Sequence, residues 1–240
     1  MLNVTPRMEL LADAGGRCRY AADIGTDHAY LAMHLVRTGR AERVYAVDNK
    51  SGPLSRARDN VASEGMSDSV ECILADGFDG LAALRDDVFP DTVFIAGIGG
   101  IATGEIVARG IDTALRCKRL ILQPANREED LRRVLYGLRM HIRSERVIEE
   151  DGRYFVVFDA APGEYRDYPS DGRSAALGEF IPECGDDVTE AYLSRKARYI
   201  REALMELRQA ENAGVAAGAL EQRLRWVTET LARVKLNKTE

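Results

Sequence analysis

Three carboxylates stand at matching places in this chain. Asp23 closes the apolar run Tyr20-Ala21-Ala22, Asp48 closes Arg43-Val44-Tyr45-Ala46-Val47, and Asp76 follows the run from Ser69 to Ala75. Each run reads as a buried strand. Acids at the ends of successive strands can accept hydrogen bonds from hydroxyl and amino groups, or neutralise a cationic ligand. Gly25 lies two residues past Asp23, where a backbone open to unusual angles lets a ligand approach the main chain. Asp27 then reads as the N-cap of a helix from His28 to Arg37, with Leu31, Leu35 and Val36 on one face. A strand feeding a glycine turn and a helix N-terminus is a common holder of nucleotide-like cofactors.

The acids narrow the cofactor. A carboxylate at the end of the second strand typically accepts both ribose hydroxyls of an adenosine, which suits NAD and S-adenosylmethionine alike. The first turn lacks Gly-x-Gly-x-x-Gly, and Asp27 stands where a second glycine would admit pyrophosphate. Asp76 has no task with a dinucleotide but can accept a hydrogen bond from an adenine amino group. A sulfonium and an ammonium would welcome acids that a pyrophosphate would not. Each residue also has an ordinary structural reading: Asp48 can cap its turn, Asp76-Gly77 is a common turn dipeptide, and Asp27 can serve only as a cap.

The elements that position these residues follow in order. Leu2 to Gly15 predicts a short helix with Pro6 in its first turn. Strand and helix then alternate: Ser51-Gly52-Pro53 opens a helix, and Leu81 to Leu84 is a short helical piece. Thr92 to Ala96 is a fourth strand ending in Gly97-Ile98-Gly99-Gly100. Arg119 to Leu122 is a fifth, ending in Gln123-Pro124, and Arg127 to Leu138 is a helix. The alternation stops at a hairpin, Ile142–Ile148 and Arg153–Ala160, joined by Glu150-Asp151-Gly152. This pattern predicts an α/β fold with a mostly parallel, Rossmann-like sheet and an antiparallel element at its end. Residues 162–188, rich in Gly, Pro, Ser and Asp, read as a surface linker between a sheet domain (1–161) and a helical region (189–240). There, Leu193, Ala197, Ile200, Leu204 and Leu207 form one a/d seam, and Leu220, Leu224, Val227, Leu231 and Val234 form another. With Ala213 to Gly218 as the turn, they predict an antiparallel coiled-coil hairpin.

Bulk properties fit such a chain. Its 240 residues carry a net charge of -6, so any polyanion must be met by a local basic surface. Cys18, Cys72, Cys117 and Cys184 show no paired spacing, and the three histidines no metal-ligand pattern. No apolar stretch spans a bilayer and no signal peptide opens the chain, so the expectation is a cytoplasmic protein with no metal and no membrane partner. Its oligomeric state stays open.

Taken together, Ala22-Asp23-Ile24-Gly25-Thr26-Asp27-His28-Ala29-Tyr30-Leu31, Asp48 with Gly52-Pro53-Leu54, Asp76-Gly77, Ile95 to Gly100 and Leu120 to Pro124 carry a resemblance. The chain resembles the TrmK family of bacterial tRNA (adenine(22)-N(1))-methyltransferases. The hairpin Glu149 to Tyr154 and the C-terminal helical pair extend the likeness over nearly the whole chain. The resemblance implies a class I S-adenosylmethionine-dependent methyltransferase sheet, S-adenosyl-L-methionine as cofactor and tRNA as partner. The candidate cofactor-binding residues are Asp23, Gly25, His28, Asp48, Asn49, Asp76, Gly77, Ala96 and Gly97. One departure falls after the fifth strand, where the family usually shows Gln-Pro-Asn and this chain has Gln123-Pro124-Ala125-Asn126.

Adenine N1 has an in-plane lone pair and no proton to lose, so orientation and electrostatics replace a dedicated base. Asp27 is the candidate carboxylate beside the base, which becomes cationic. Gln123 and Asn126 are candidates for holding its edge, Gln123 having a strand-end cap as its other reading. The candidate RNA-binding cations are Arg7, Arg195, Lys196, Arg198, Arg201, Arg223 and Arg225, although solvated coiled-coil flanks look much the same. A methyltransferase with another substrate and a non-catalytic cofactor- and RNA-binding module are the alternatives. If Asp48 holds the ribose, Asp48→Ala should weaken cofactor binding by about 1–3 kcal/mol, as for a charge-assisted hydrogen bond. Titration calorimetry on the folded variant checks this, and unchanged affinity would refute the role.

Overall fold

The computed structural model describes residues 4–138, 140–163, 172–208 and 214–238. Strands run over Cys18–Ile24 (β1), Ala41–Asp48 (β2), Val70–Leu74 (β3), Thr92–Ala96 (β4), Arg119–Gln123 (β5), Met140–Glu150 (β6) and Arg153–Pro162 (β7). They form one sheet in the order β3-β2-β1-β4-β5-β7-β6. β1 pairs in parallel with β2 on one side and β4 on the other, with Asp23 opposite Ala46 and Phe94. β7 alone pairs antiparallel with a strand of the parallel set, Ile121 facing Asp159. The order reverses at β1, and ligands of open α/β sheets bind beyond the carboxyl ends of strands at such a point. This is the mostly parallel sheet with an antiparallel end that the strand pattern predicts, and it agrees with the sheet that the family resemblance implies.

The helices are Pro6–Gly15 (α1), Tyr30–Arg37 (α2), Ser51–Ser63 (α3), Asp79–Ala82 (α4), Gly100–Arg109 (α5), Ile111–Ala114 (α6), Glu128–Gly137 (α7), Arg173–Leu177 (α8), Asp187–Leu207 (α9) and Gly214–Asn237 (α10). The central strands are buried on both faces, as covered parallel strands must be: Ala21, Ala22, Val93, Ile95, Leu120 and Ile121 have no exposed surface. Gly15 ends α1 directly on this core, since a Cβ there would lie 2.3 Å from Phe94 Cζ.

Several local expectations shift. α1 starts at Pro6, not Leu2, because Thr5 caps it, its side chain accepting from Met8 N at 3.3 Å. α2 starts at Tyr30, so Asp27 is not its N-cap; His28 and Ala29 are both left-handed, and no side chain caps the helix. The 162–188 stretch, expected as a linker, contains α8 and a 3-10 turn at Ile181–Glu183; its apolar Ala175, Ala176, Leu177 and Ile181 are buried. Part of that stretch, 164–171, lies outside the described residues, as does Ala213 of the expected turn after α9. Gly214 to Gly218, read as turn, are helical.

The chain divides into two compact units, Met1–Ser144 with Phe155–Arg166 and Glu145–Tyr154 with Asp167–Glu240. In the second, α9 and α10 run antiparallel. Arg208 after α9 pairs with Glu221 early in α10 at 2.7 Å, and Lys238 after α10 pairs with Asp187 and Glu190 in the first turn of α9. Leu193, Ala197, Leu204, Val227 and Val234 of the two seams are buried. Truncating Leu193 should therefore open a cavity: Leu193→Ala should lower unfolding free energy by about 2–5 kcal/mol. Met205→Ala, at a position 66% exposed, should stay within about 0.5 kcal/mol. Chemical denaturation of both variants checks the contrast.

Candidate active site

Asp23 ends β1 with only 6% of its surface exposed. Its Oδ2 accepts from Thr26 Oγ1 at 2.7 Å, while Gly25 N and Thr26 N both donate to Val47 O, at 2.8 and 3.0 Å. The turn is thus stitched to β2. Gly25 has φ +79°, and a Cβ there would lie 2.5 Å from Ile98 Cδ1. The left-handed angle favours glycine, and the Ile98 side chain fills the space beside it. Burial pushes the Asp23 carboxyl up to about 6; the Thr26 hydrogen bond opposes this, and neighbouring Asp48 adds to it. No cation is among the groups that act on it.

Beyond Asp23 a cavity of 670 Å³ opens over the ends of β1, β2 and β3. Of the expected residues, Gly25, Asp27, Asp48, Asn49, Asp76 and Gly77 line it, whereas Asp23, His28, Ala96 and Gly97 do not. Asp48 Oδ1 accepts from Lys50 N at 2.7 Å, so the carboxylate does cap its turn while facing the cavity. Asp76 is braced from two sides: Asn49 Nδ2 donates to Oδ1 at 3.4 Å and Arg109 Nη1 to Oδ2 at 2.9 Å. Arg56 and Arg109 are wall residues that the sequence reading missed. They reach the cavity from the sides of α3 and α5, and no local motif marks them. Asp27 Oδ1 lies 3.5 Å from Arg56 Nη2 and 3.4 Å from His28 Nε2.

The turn after Asp27 is strained. His28 (φ 62°) and Ala29 (φ 56°) take left-handed angles in succession, at a cost on the order of 1–3 kcal/mol each for residues bearing a Cβ. Asn60 Nδ2 donates to His28 O at 3.0 Å and holds the bend, and Ala29 is fully buried. The His28 ring stacks on Tyr30, with centroids 5.3 Å apart and planes 11° from parallel.

The β4 and β5 ends are zipped together. Gly97 N donates to Gln123 O at 3.0 Å, Ala125 N to Ile98 O at 2.8 Å, and Gly100 N to Asn126 O at 2.9 Å. A Cβ at Gly100 would lie 2.2 Å from Arg127 O, so this closeness requires glycine. Gln123 is fully buried, its Nε2 donating to Pro124 O at 2.8 Å and its Oε1 3.4 Å from Arg7 Nη1. Asn126 is exposed, with its Oδ1 against Gly99. Arg7, expected among the RNA-binding cations, lies on Gln123 with its guanidinium 4.7 Å from the Phe155 ring centroid.

The remaining cations divide. Arg195 lies 5.7 Å from the Tyr154 ring and 5.4 Å from that of Tyr199, Arg198 lies 5.6 Å from Tyr199, and Lys196 lies 5.4 Å from Tyr192. Arg201 and Arg225 line one groove between α9 and α10, and Arg223 is half-buried on α10. Arg198 also lies 3.8 Å from Glu202, and Arg208, Arg233, Lys235 and Lys238 pair with acids. Among the described residues, no group of three His, Cys, Asp or Glu side chains could hold a metal ion, and no helix is long and apolar enough to cross a membrane.

The family model for tRNA (adenine(22)-N(1))-methyltransferase, TrmK, matches residues 21–229. The chain belongs to this family. The Bacillus subtilis tRNA (adenine(22)-N(1))-methyltransferase is 31% identical over 180 residues, 75% of this chain and 74% of that protein. A Streptococcus pneumoniae protein, a candidate tRNA (m1A22) methyltransferase, superposes with a TM-score of 0.85 at 28% identity, over 95% of this chain and 100% of its own. Its complex with S-adenosyl-L-methionine superposes with a TM-score of 0.82 at 26% identity, again over 95% and 100%.

In this TrmK-family chain the raised Asp23 pKa has a measurable consequence. The folded state holds the Asp23 proton more tightly than the unfolded chain, so ionising it costs stability above pH 6 and nothing below pH 4. The rise from 3.8 to about 6 corresponds to roughly 3 kcal/mol. Asp23→Asn should therefore raise the urea midpoint at pH 7.5, with the gain shrinking through pH 6 and gone near pH 4. An equal gain at both ends of that range would contradict the burial account.

Proposed function

We infer that this protein transfers a methyl group from S-adenosyl-L-methionine to N1 of adenine 22 in tRNA, in the cytoplasm. The observation that carries the reading is the cavity at the β1 switch point, walled by Asp27, Asp48 and Asp76, with a first turn that lacks Gly-x-Gly-x-x-Gly. These residues fit the cofactor. Asp23 does not line the cavity but lies buried behind it with no cation among the groups that act on it, so the cofactor's positive charge would act on that carboxylate through the low-dielectric interior. Asp48 can accept from ribose hydroxyls. Asp76, oriented by Asn49 and Arg109, can accept from an adenine amino group.

The cofactor supplies an electrophilic methyl carried on a positive sulfur. The protein's part is to orient, exclude water and place charge. Adenine N1 attacks through its lone pair without losing a proton, so none of His28, His34 or His141 is needed as a base. Positive charge passes onto the adenine ring, and a carboxylate fixed beside it stabilises that charge. Asp27, at the cavity wall and positioned between Arg56 and His28, is placed for this. Gln123 has both amide ends engaged within the chain, so its part is to brace the Pro124–Asn126 turn, with Arg7 supporting it. The exposed Asn126 is left to meet the adenine edge. Arg195, Lys196, Arg198, Arg201, Arg223 and Arg225 on the helical pair track tRNA phosphates, and the tyrosines among them add stacking surface.

The direct test compares tRNA with adenine at position 22 against the same tRNA with guanine there, using labelled S-adenosyl-L-methionine. Label should enter the first alone, as N1-methyladenine. Cofactor binding with no transfer to any tRNA would favour a non-catalytic module.

Because α2 does not start at Asp27, losing its charge leaves helix capping untouched. Asp27→Asn should slow single-turnover methylation by about a hundredfold or more at saturating cofactor, with the melting temperature unchanged. A wild-type rate in that variant would remove Asp27 from the chemistry.

A further inference from the structure

The strained turn after Asp27 presents two rings, and the cofactor has no evident use for them. A glycine at position 28 or 29 would take a left-handed φ without strain, yet the chain carries His28 and Ala29 there. The bend is held from behind by Asn60 on the His28 carbonyl and by the burial of Ala29. What the bend achieves is to bring the His28 ring parallel to Tyr30, 5.3 Å centroid to centroid. Tyr30 remains 40% exposed, one of the few large apolar side chains left open to solvent. His28 Nε2 lies 3.4 Å from Asp27 Oδ1, and that carboxylate lines the cofactor cavity, so the ring pair stands beside the cavity.

We propose that the His28–Tyr30 pair is the stacking platform for the adenine that leaves the tRNA to be methylated, with Tyr30 as its outer layer. The proposal rests on the tRNA methyltransferase reading and adds the surface that receives the base. An adenine must leave its own stack before N1 can meet a methyl donor, and enzymes that act on bases hold the extruded base against aromatic side chains. Two parallel rings, the outer of them 40% exposed, can be extended by a third planar ring. A base on this stack stands one ring beyond His28, whose Nε2 meets Asp27, the carboxylate assigned to the developing charge. Once methylated, the adenine is a cation over an aromatic face, which is itself attractive. Stacking accepts any base, so the platform supplies hold and orientation, and the choice of adenine lies in contacts to its edge.

The test uses a tRNA carrying 2-aminopurine at position 22, a base that fluoresces brightly when unstacked and is quenched on an aromatic surface. Bound to the S-adenosylhomocysteine-loaded wild type, the probe should stay quenched. Bound to Tyr30→Ala it should brighten, and Tyr30→Phe should restore the quenching. In parallel, kcat/KM for adenine-22 tRNA should fall about 10- to 100-fold in Tyr30→Ala and largely recover in Tyr30→Phe. Calorimetric affinity for S-adenosylhomocysteine should be unchanged in both. Tyr30 is a surface side chain, so both variants should melt as the wild type does. Equal quenching and equal kcat/KM in Tyr30→Ala would overturn the platform while leaving the activity standing. A Tyr30→Phe variant as impaired as Tyr30→Ala would assign the effect to the hydroxyl and also overturn it. A wild type that methylates no tRNA would overturn the underlying activity, and the platform with it.

Discussion

A carboxylate buried without a cation is the constraint on which this structure turns. Asp23 sits at the end of the central strand, 6% exposed, with a threonine hydroxyl as its hydrogen-bond donor and a second acid nearby. Left alone, that arrangement weakens the fold, and groups perturbed in this way cluster at functional sites. The surrounding turn is built to keep the group in place. Gly25 and Thr26 share the Val47 carbonyl, and Ile98 closes on Gly25 from the fourth strand's loop. The same Ile98 carbonyl accepts from Ala125, and Gly100 donates to Asn126. A chain of close approaches therefore runs from the first strand end through the fourth to the fifth, and at Gly100 it meets backbone and requires glycine. The fourth and fifth strand ends are fixed to each other by backbone, and the Ile98 side chain packs that unit against the first turn.

The charges around the cavity act in two ways. Asp48 and Asp76 are tied by local partners, a backbone amide in one case and Asn49 with Arg109 in the other, so they present oriented acceptors. Asp27 is held more loosely, between Arg56 and His28 at 3.5 and 3.4 Å. An oriented acceptor suits a ligand that must be held still. A carboxylate at the rim suits a charge that appears only as the reaction proceeds. Burial, partner and position thus separate binding roles from catalytic ones among acids of the same type.

Much of this was legible from local pattern. Strands ending in acids, a glycine two residues beyond Asp23, and the change from alternation to a hairpin all follow from short-range periodicity, and the fold class follows from them. What was not legible depends on distance. Arg7 meets Gln123 across 116 positions and Arg109 meets Asp76 across 33, and no spacing rule connects them. The start of α2 was misplaced for a different reason. Asp27 has the right chemistry for a cap, but Asn60 and the core around Ala29 select two left-handed residues first, so tertiary contacts override local preference. The 162–188 stretch looked like linker by composition. The few apolar residues that it does contain, such as Leu177 and Ile181, are the ones buried.

The measurement that bears most directly on the account is the proton balance of cofactor binding. If Asp23 must be ionised to hold the cofactor's positive charge, and half of it is protonated near pH 6 in the free protein, binding at that pH must expel the proton. At pH 6 the cofactor's own amino group is already protonated, so titration calorimetry in two buffers of different ionisation enthalpy should show release of about half a proton per S-adenosyl-L-methionine there, and none in Asp23→Asn. Wild-type binding that releases no protons at pH 6 would contradict the account, because the buried carboxylate would then have no part in holding the ligand.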